Sequence, residues 1–173
     1  SIEPLQNREK LSYEILVRMQ SNEGNIIAPG LFLPAAERFN LSHRIDRWVI
    51  DNTLSWMTKH LEEIEHVDHI SINLSGLTLS NESILTHIIS SVSQSNIPPS
   101  KICFEITETA AIANLVQAKY FISVLKTLGC QFALDDFGSG LSSFAYLKNL
   151  KVDLLKIDGM FVKDMVKDPI DEA

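Results

Sequence analysis

The sequence has only two cysteines, no basic stripe and no long apolar run, and each shortage excludes something. Its 173 residues contain no stretch of the roughly 18 or more apolar residues that a membrane-spanning helix needs. No secretory leader is visible at the start. Cys103 and Cys130 each open an apolar run, KICFEI and GCQFAL. They read as small buried residues in a reducing cytoplasm, and a disulfide between them is not expected. The net charge is −7, so the basic stripe of a surface for polymeric nucleic acid is not expected. The histidines (His43, His60, His66, His69 and His87) are scattered over stretches read as helices or loop edges. None is assigned to a metal. Low-complexity segments and sequence repeats are also lacking. With 45% hydrophobic and 21% charged residues, the chain reads as one soluble globular domain with a real core.

The hydrophobic pattern alternates strands with helices. LSYEILVRM is strand-like, and LFLPAAERF is a short helix after Pro29 and Gly30. A long amphipathic helix is expected from about residue 43 to 64, with Ile45, Trp48, Val49, Leu54 and Met57 near one stripe. HISINLS, KICFEITET, QFALDDFG and VDLLKIDGMFV read as strands. SILTHIISSVSQS, LVQAKYFISVLKTLG and SSFAYLKNL read as helices between them, Gly129 closing the second of these. From residue 70 the strand–helix unit repeats about every 30 residues, the βαβ rhythm of a parallel sheet. Consecutive apolar residues, as in FAL, fit strands covered on both faces.

The polar residues separate an open sheet from a barrel. Glu14, Asn73, Glu105, Asp135 with Asp136, and Lys156 each stand near the end of a strand, where a core has no use for them. Five successive strands thus deliver an oxygen or an amine to the same end. In an α/β barrel those ends converge on one mouth, whereas an open sheet spreads them along an edge.

Taken one at a time, each acid reads as a solvated strand end or half of an ion pair, Glu14 with Arg18 or Lys156 with Asp153 or Asp158. The set reverses that reading. Adjacent carboxylates such as Asp135 and Asp136 repel each other and call for a positive partner. An oxygen-rich nest of four carboxylates and an amide suits hard cations, Mg²⁺ or Mn²⁺. Two such ions about 3.5–4 Å apart clamp an in-line phosphoryl displacement and generate hydroxide from bound water. Lys156 could hold or deprotonate that water. Arg18 follows Glu14 by four residues, so in an extended strand it shares a face with Glu14 and could take a phosphate. The Gly138 and Gly140 pair lacks the lysine of a phosphate-binding P-loop and reads as a tightly turned loop beside the site.

With these residues in view, the chain resembles the EAL-domain family of bacterial cyclic di-GMP phosphodiesterases. YEILVR resembles the motif that names the family, with Ile15 where alanine is usual; SINLS, FEITET, DDFGSGLSSFAYL and VDLLKIDGMFV resemble further family motifs, in order and at suitable spacing. The resemblance implies a modified TIM (β/α)₈ barrel whose first strand is antiparallel to the rest. It implies hydrolysis of cyclic di-GMP to linear pGpG with two Mg²⁺ or Mn²⁺ ions, and a homodimer. By the same resemblance Glu14, Asn73, Glu105 and Asp135 are metal ligands and Asp136 serves the second metal. Lys156 stands near the catalytic water, Arg18 contacts substrate phosphate, and Glu108 braces the loop carrying Gly138. Ile15 should be harmless, because strand alternation turns it toward the helix layer if Glu14 faces the mouth.

Family barrels run to roughly 250 residues. The resemblance therefore implies that the last two strands and the start of the first, whose tail is SIEPL, lie outside this sequence, and that hydrolysis by these residues alone is impaired. Two other readings stand beside the enzyme. One is a receptor that binds cyclic di-GMP without cutting it. The other is a regulatory or dimerisation module of a longer cytoplasmic signalling protein with sensor or cyclase domains. No membrane contact is expected from this domain.

Overall fold

The computed structural model describes residues 11–138 and 150–162. β1 (Leu11–Ile15) leads into a short antiparallel pair, β2 (Met19–Gln20) and β3 (Ile26–Ile27), then to helices α1 (Pro29–Arg38), α2 (Ser42–Lys59) and α3 (Leu61–Ile64). β4 (Val67–Leu74) is followed by α4 (Gly76–Leu79) and α5 (Glu82–Gln94). β5 (Ile102–Thr107) follows, then α6 (Glu108–Ala113) and α7 (Leu115–Thr127). β6 (Gln131–Phe137), β7 (Leu154–Ile157) and α8 (Gly159–Val162) complete the described elements. The five longer strands form one sheet in the order β1-β4-β5-β6-β7, every neighbouring pair parallel. This is an arc of a barrel with its helices outside. The antiparallel first strand expected at SIEPL and the helix expected at SSFAYLKNL lie outside the described residues.

Strand parity assigns the two faces. Ile70, Ile72 and Leu74, Ile102, Phe104 and Ile106, and Phe132 and Leu134 alternate onto one face, and all belong to the hydrophobic core. Val49, Leu54 and Met57 of α2 and Ile84, Ile88 and Val92 of α5 join the same core, with Phe121, Ile122 and Leu125 of α7. The ring of Phe121 meets Phe132 edge-on, 6.5 Å between centroids. Asn81 starts α5 by accepting hydrogen bonds from Ser83 N and Ile84 N. Gly129 stops α7, at φ +98, where a side chain would be strained.

Three expectations change. The helix expected over 43–64 breaks at His60, whose ring stacks on Trp56 and bonds the Trp56 carbonyl, leaving φ −126 and ψ 41 there. Trp48 is 60% exposed and stands off the stripe, which runs instead through Asp46, Val49, Ile50, Thr53, Leu54 and Met57. His69, read as a loop-edge residue, lies within β4 and is buried beside Ser12. Ile15 packs against the core beside Ile45 and Val49, the helix side.

Candidate active site

The other face of the sheet carries Glu14, Asn73, Glu105, Asp135 and Lys156, one from each strand. Register sets their levels. Asn73 pairs with Glu105 across β4 and β5, and Glu105 pairs with Ala133 across β5 and β6. Ala133 is small and fully buried, so the neighbouring strand leaves space beside the Glu105 carboxylate.

Lys156 reaches into that space. Its Nζ donates to Glu105 Oε2 at 2.6 Å, to Asp135 Oδ2 at 3.2 Å and to Glu14 Oε2 at 3.3 Å. Asn73 Nδ2 donates to the other Glu14 oxygen at 2.8 Å. Glu105 is 2% exposed, while Glu14, Asp135 and Lys156 keep about a quarter of their side-chain surface. Burial alone would lower the lysine pKa. The hydrogen bond and charge of Glu105, with Asp135 and Glu14, outweigh burial and hold the ammonium well above its usual range. Asp153 is not the partner of Lys156, because it pairs with Lys126 and accepts from Phe132 N.

The paired aspartates separate by a break in the strand. Asp136 adopts φ +52, and the β6–β7 register shifts between Leu134 and Phe137. Aspartate tolerates this left-handed conformation better than most residues. Asp135 therefore faces Lys156, while Asp136 turns to solvent with its N–H donating to Asp135 Oδ1 at 3.0 Å. Partial burial, then the charges of Asp135 and Asp158, push the Asp136 carboxyl above its ordinary value. At the end of β6, Gly138 N donates to Glu108 Oε2 at 2.9 Å. Glu108 is fully buried at the start of α6 and Gly138 sits at φ +96.

Arg18 is placed differently from the sequence expectation. β1 ends at Ile15, so strand parity no longer carries Arg18 to the side of Glu14. Its guanidinium donates to the Val17 carbonyl at 2.8 Å, beside an apolar groove lined by Met19, Phe32, Phe39 and Trp48. No ion pair joins it to the acids among the described residues.

Asp46 was not singled out in the sequence, although a charge on the buried stripe of α2 was the signal. Its Oδ2 accepts from Ser75 N at 2.8 Å, Ser75 Oγ at 2.6 Å and Thr78 Oγ1 at 2.6 Å. These bonds tie α2 to the turn that follows Asn73. Burial raises the Asp46 pKa against the lowering effect of those donors.

The positive partner of the acids in this arrangement is Lys156. Among the described residues, no three His, Cys, Asp or Glu side chains gather closely enough to hold a metal ion. The donor set still has the chemistry of a hard-cation site. Three carboxylates surround one ammonium, so two negative charges remain uncompensated at the mouth.

The EAL domain model matches residues 2–173. The chain belongs to the EAL domain family. Cyclic di-GMP phosphodiesterase PdeB of Shewanella oneidensis is 44% identical over 161 residues, covering 92% of this chain and 19% of that protein. Cyclic di-GMP phosphodiesterase PdeF of Escherichia coli is 38% identical over 95% of this chain and 22% of its own length. The chain thus spans about a fifth of these curated relatives. The FimX EAL domain of Pseudomonas aeruginosa, solved bound to c-di-GMP, superposes with TM-score 0.86 at 34% identity, over 95% of this chain and 66% of that one. The PaMucR phosphodiesterase, solved as a c-di-GMP complex, gives 0.83 at 31%, over 92% and 64%. The arc of parallel strands is thus part of an EAL-type, TIM-barrel-like fold.

Proposed function

We propose that this EAL domain hydrolyses cyclic di-GMP to linear pGpG, as the cytoplasmic, dimerising part of a bacterial signalling protein. The observation that carries the reading is the convergence of Glu14, Asn73, Glu105, Asp135 and Lys156 from five strand ends on one point. The names of the relatives support it.

Glu14, Asn73, Glu105 and Asp135 would hold one Mg²⁺ or Mn²⁺, and Asp136 would serve a second. Bound there, the ions supply polarisation of a phosphate oxygen and a more acidic water. The protein's own part is positional. Buried Glu105 and Asp135 hold the Lys156 ammonium where it can donate to a phosphate oxygen or orient a water. Glu108 fixes the backbone at Gly138 and so the end of the strand that presents Asp135 and Asp136. Asp46 anchors the turn after Asn73. Arg18, at the rim, would meet a phosphate only after substrate draws it in.

A non-hydrolytic receptor is the second reading, favoured by one observation: the similar FimX EAL domain was solved with c-di-GMP bound. Cyclic di-GMP turnover, followed by chromatography with Mg²⁺ or Mn²⁺, separates the two. Hydrolysis predicts pGpG from a protein extended to the complete barrel and none from its Asp135→Asn variant. Nucleotide binding without any product would establish the receptor and overturn the enzyme.

A further inference from the structure

A concentration of positive charge stands on the outer layer of the fold, away from the acidic mouth. A cavity of about 380 Å³ opens between α2 and the start of α5, with His43, Arg44, Arg47, Trp48, Asp51 and Asn81 in its wall. None of these residues belongs to the strand-end cluster, and the inference does not depend on the proposed hydrolysis.

The cations here are poorly compensated. Arginine is confined to the first 47 residues of a chain whose net charge is −7, and Arg44 and Arg47 stand three apart, on one face of α2. The Arg44 guanidinium makes no ion pair among the described residues. Arg47 Nε approaches Asp51 Oδ2 only at 3.9 Å, while the other Asp51 oxygen lies 2.5 Å from His87 Nε2. His43 and Arg44 fall in the first turn of α2, where the helix dipole is already positive. That turn has no acidic residue and no side-chain cap. An anion in the cavity would relieve this like-charge crowding. Two planar guanidinium forks suit phosphate oxygens in particular.

The cavity also offers a flat surface. Trp48 is 60% exposed and lines the same cavity as the two arginines. An aromatic face beside cations suits a base attached to a phosphate, since stacking and phosphate contact are then made together. The backbone donors at the start of α5 contribute little, because Asn81 already occupies Ser83 N and Ile84 N. The site consists of side chains, and its volume lies in the range of small-ligand pockets.

We propose that the cavity between α2 and α5 binds a nucleotide outside the acidic mouth, with Arg44 and Arg47 on its phosphate and Trp48 against its base. Asp51 is the internal competitor for Arg47. The test is tryptophan fluorescence in a Trp56→Phe background, where Trp48 is the sole indole, with guanosine 5′-monophosphate as probe and inorganic phosphate as competitor. Saturable quenching is expected, reversed by phosphate. Combined Arg44→Ala and Arg47→Ala should weaken it at least about tenfold, the cost of one or two charge-assisted bonds. Asp51→Asn should tighten it, and this variant decides the matter alone if the double variant does not fold. Absence of quenching, unchanged affinity in the double variant, or weaker binding in Asp51→Asn would each overturn the proposal. Loss of quenching in Glu14→Gln would overturn it too, by placing the nucleotide in the mouth.

Discussion

Replacing Lys156 with methionine keeps most of the side-chain stem and removes the charge at the centre of the acids. The largest consequence falls on Glu105, which is 2% exposed and bonded to Lys156 at 2.6 Å. Removing one partner of a buried ion pair costs about 3–5 kcal/mol, because the other charge stays behind uncompensated. Glu14 and Asp135 keep about a quarter of their side-chain surface, so water screens them, which places the loss near the lower end, about 3 kcal/mol. At about 2–4 °C per kcal/mol for a chain of this size, Tm should fall by roughly 6–12 °C. Circular dichroism melts measure this directly. Pairing the change with Glu105→Gln should cost clearly less than the sum of the two single changes. Millimolar Mg²⁺ should stabilise the methionine variant more than the wild type, since the vacated centre is surrounded by three carboxylates. A fall below about 2 °C, with additive single effects, would refute the account of Lys156 as the counter-charge of a buried acid.

Four further outcomes follow from the geometry. Asp46→Ala strips the acceptor from Ser75 N, Ser75 Oγ and Thr78 Oγ1, and should lower the stability in urea by roughly 2–4 kcal/mol while reducing turnover through the displaced Asn73. Burial, joined at Cys103 by the charge of Glu105, pushes both thiols up to about 12, so a thiol reagent at neutral pH should react only as the chain opens. Because the unfolded thiols ionise first, each should remove about 1.4 kcal/mol of stability per pH unit from roughly pH 9 to 12, and Lys156 adds to that alkaline loss; pH-dependent melts read it. Gly138→Ala forces a side chain into φ +96 with its Cβ 2.8 Å from the Phe161 ring, and should cost about 1–3 kcal/mol, read as a shifted urea midpoint.

The parallel sheet and its mouth were legible because both rest on short-range pattern. Consecutive apolar residues in β5 and β6 mark strands covered on two faces, and a polar residue at each strand end marks the mouth. Other features depend on partners distant in sequence. Nothing in LSYEILVRM says that the strand stops at Ile15, which is why Arg18 was expected beside Glu14. The break at His60 comes from its ring stacking on Trp56, a contact that hydrophobic periodicity does not register. Trp48 was expected near the apolar stripe of the helix, but the 100° step carries it past that stripe to 60% exposure. The contact of Lys156 with Glu105 was likewise not legible, because it needs the small Ala133 of the intervening strand to leave it room.

The contact from Lys156 to Glu14 spans 142 positions in the sequence. β1, β5 and β6 therefore bring together Glu14, Glu105 and Asp135, whose mutual repulsion resists tight closure until β7 supplies the ammonium. The mouth acts as an electrostatic latch on β7, whose ammonium relieves the repulsion among the acids of β1, β5 and β6. Docking of β7 and formation of the site are then a single event, so molecules in which β7 is undocked are also molecules without a site.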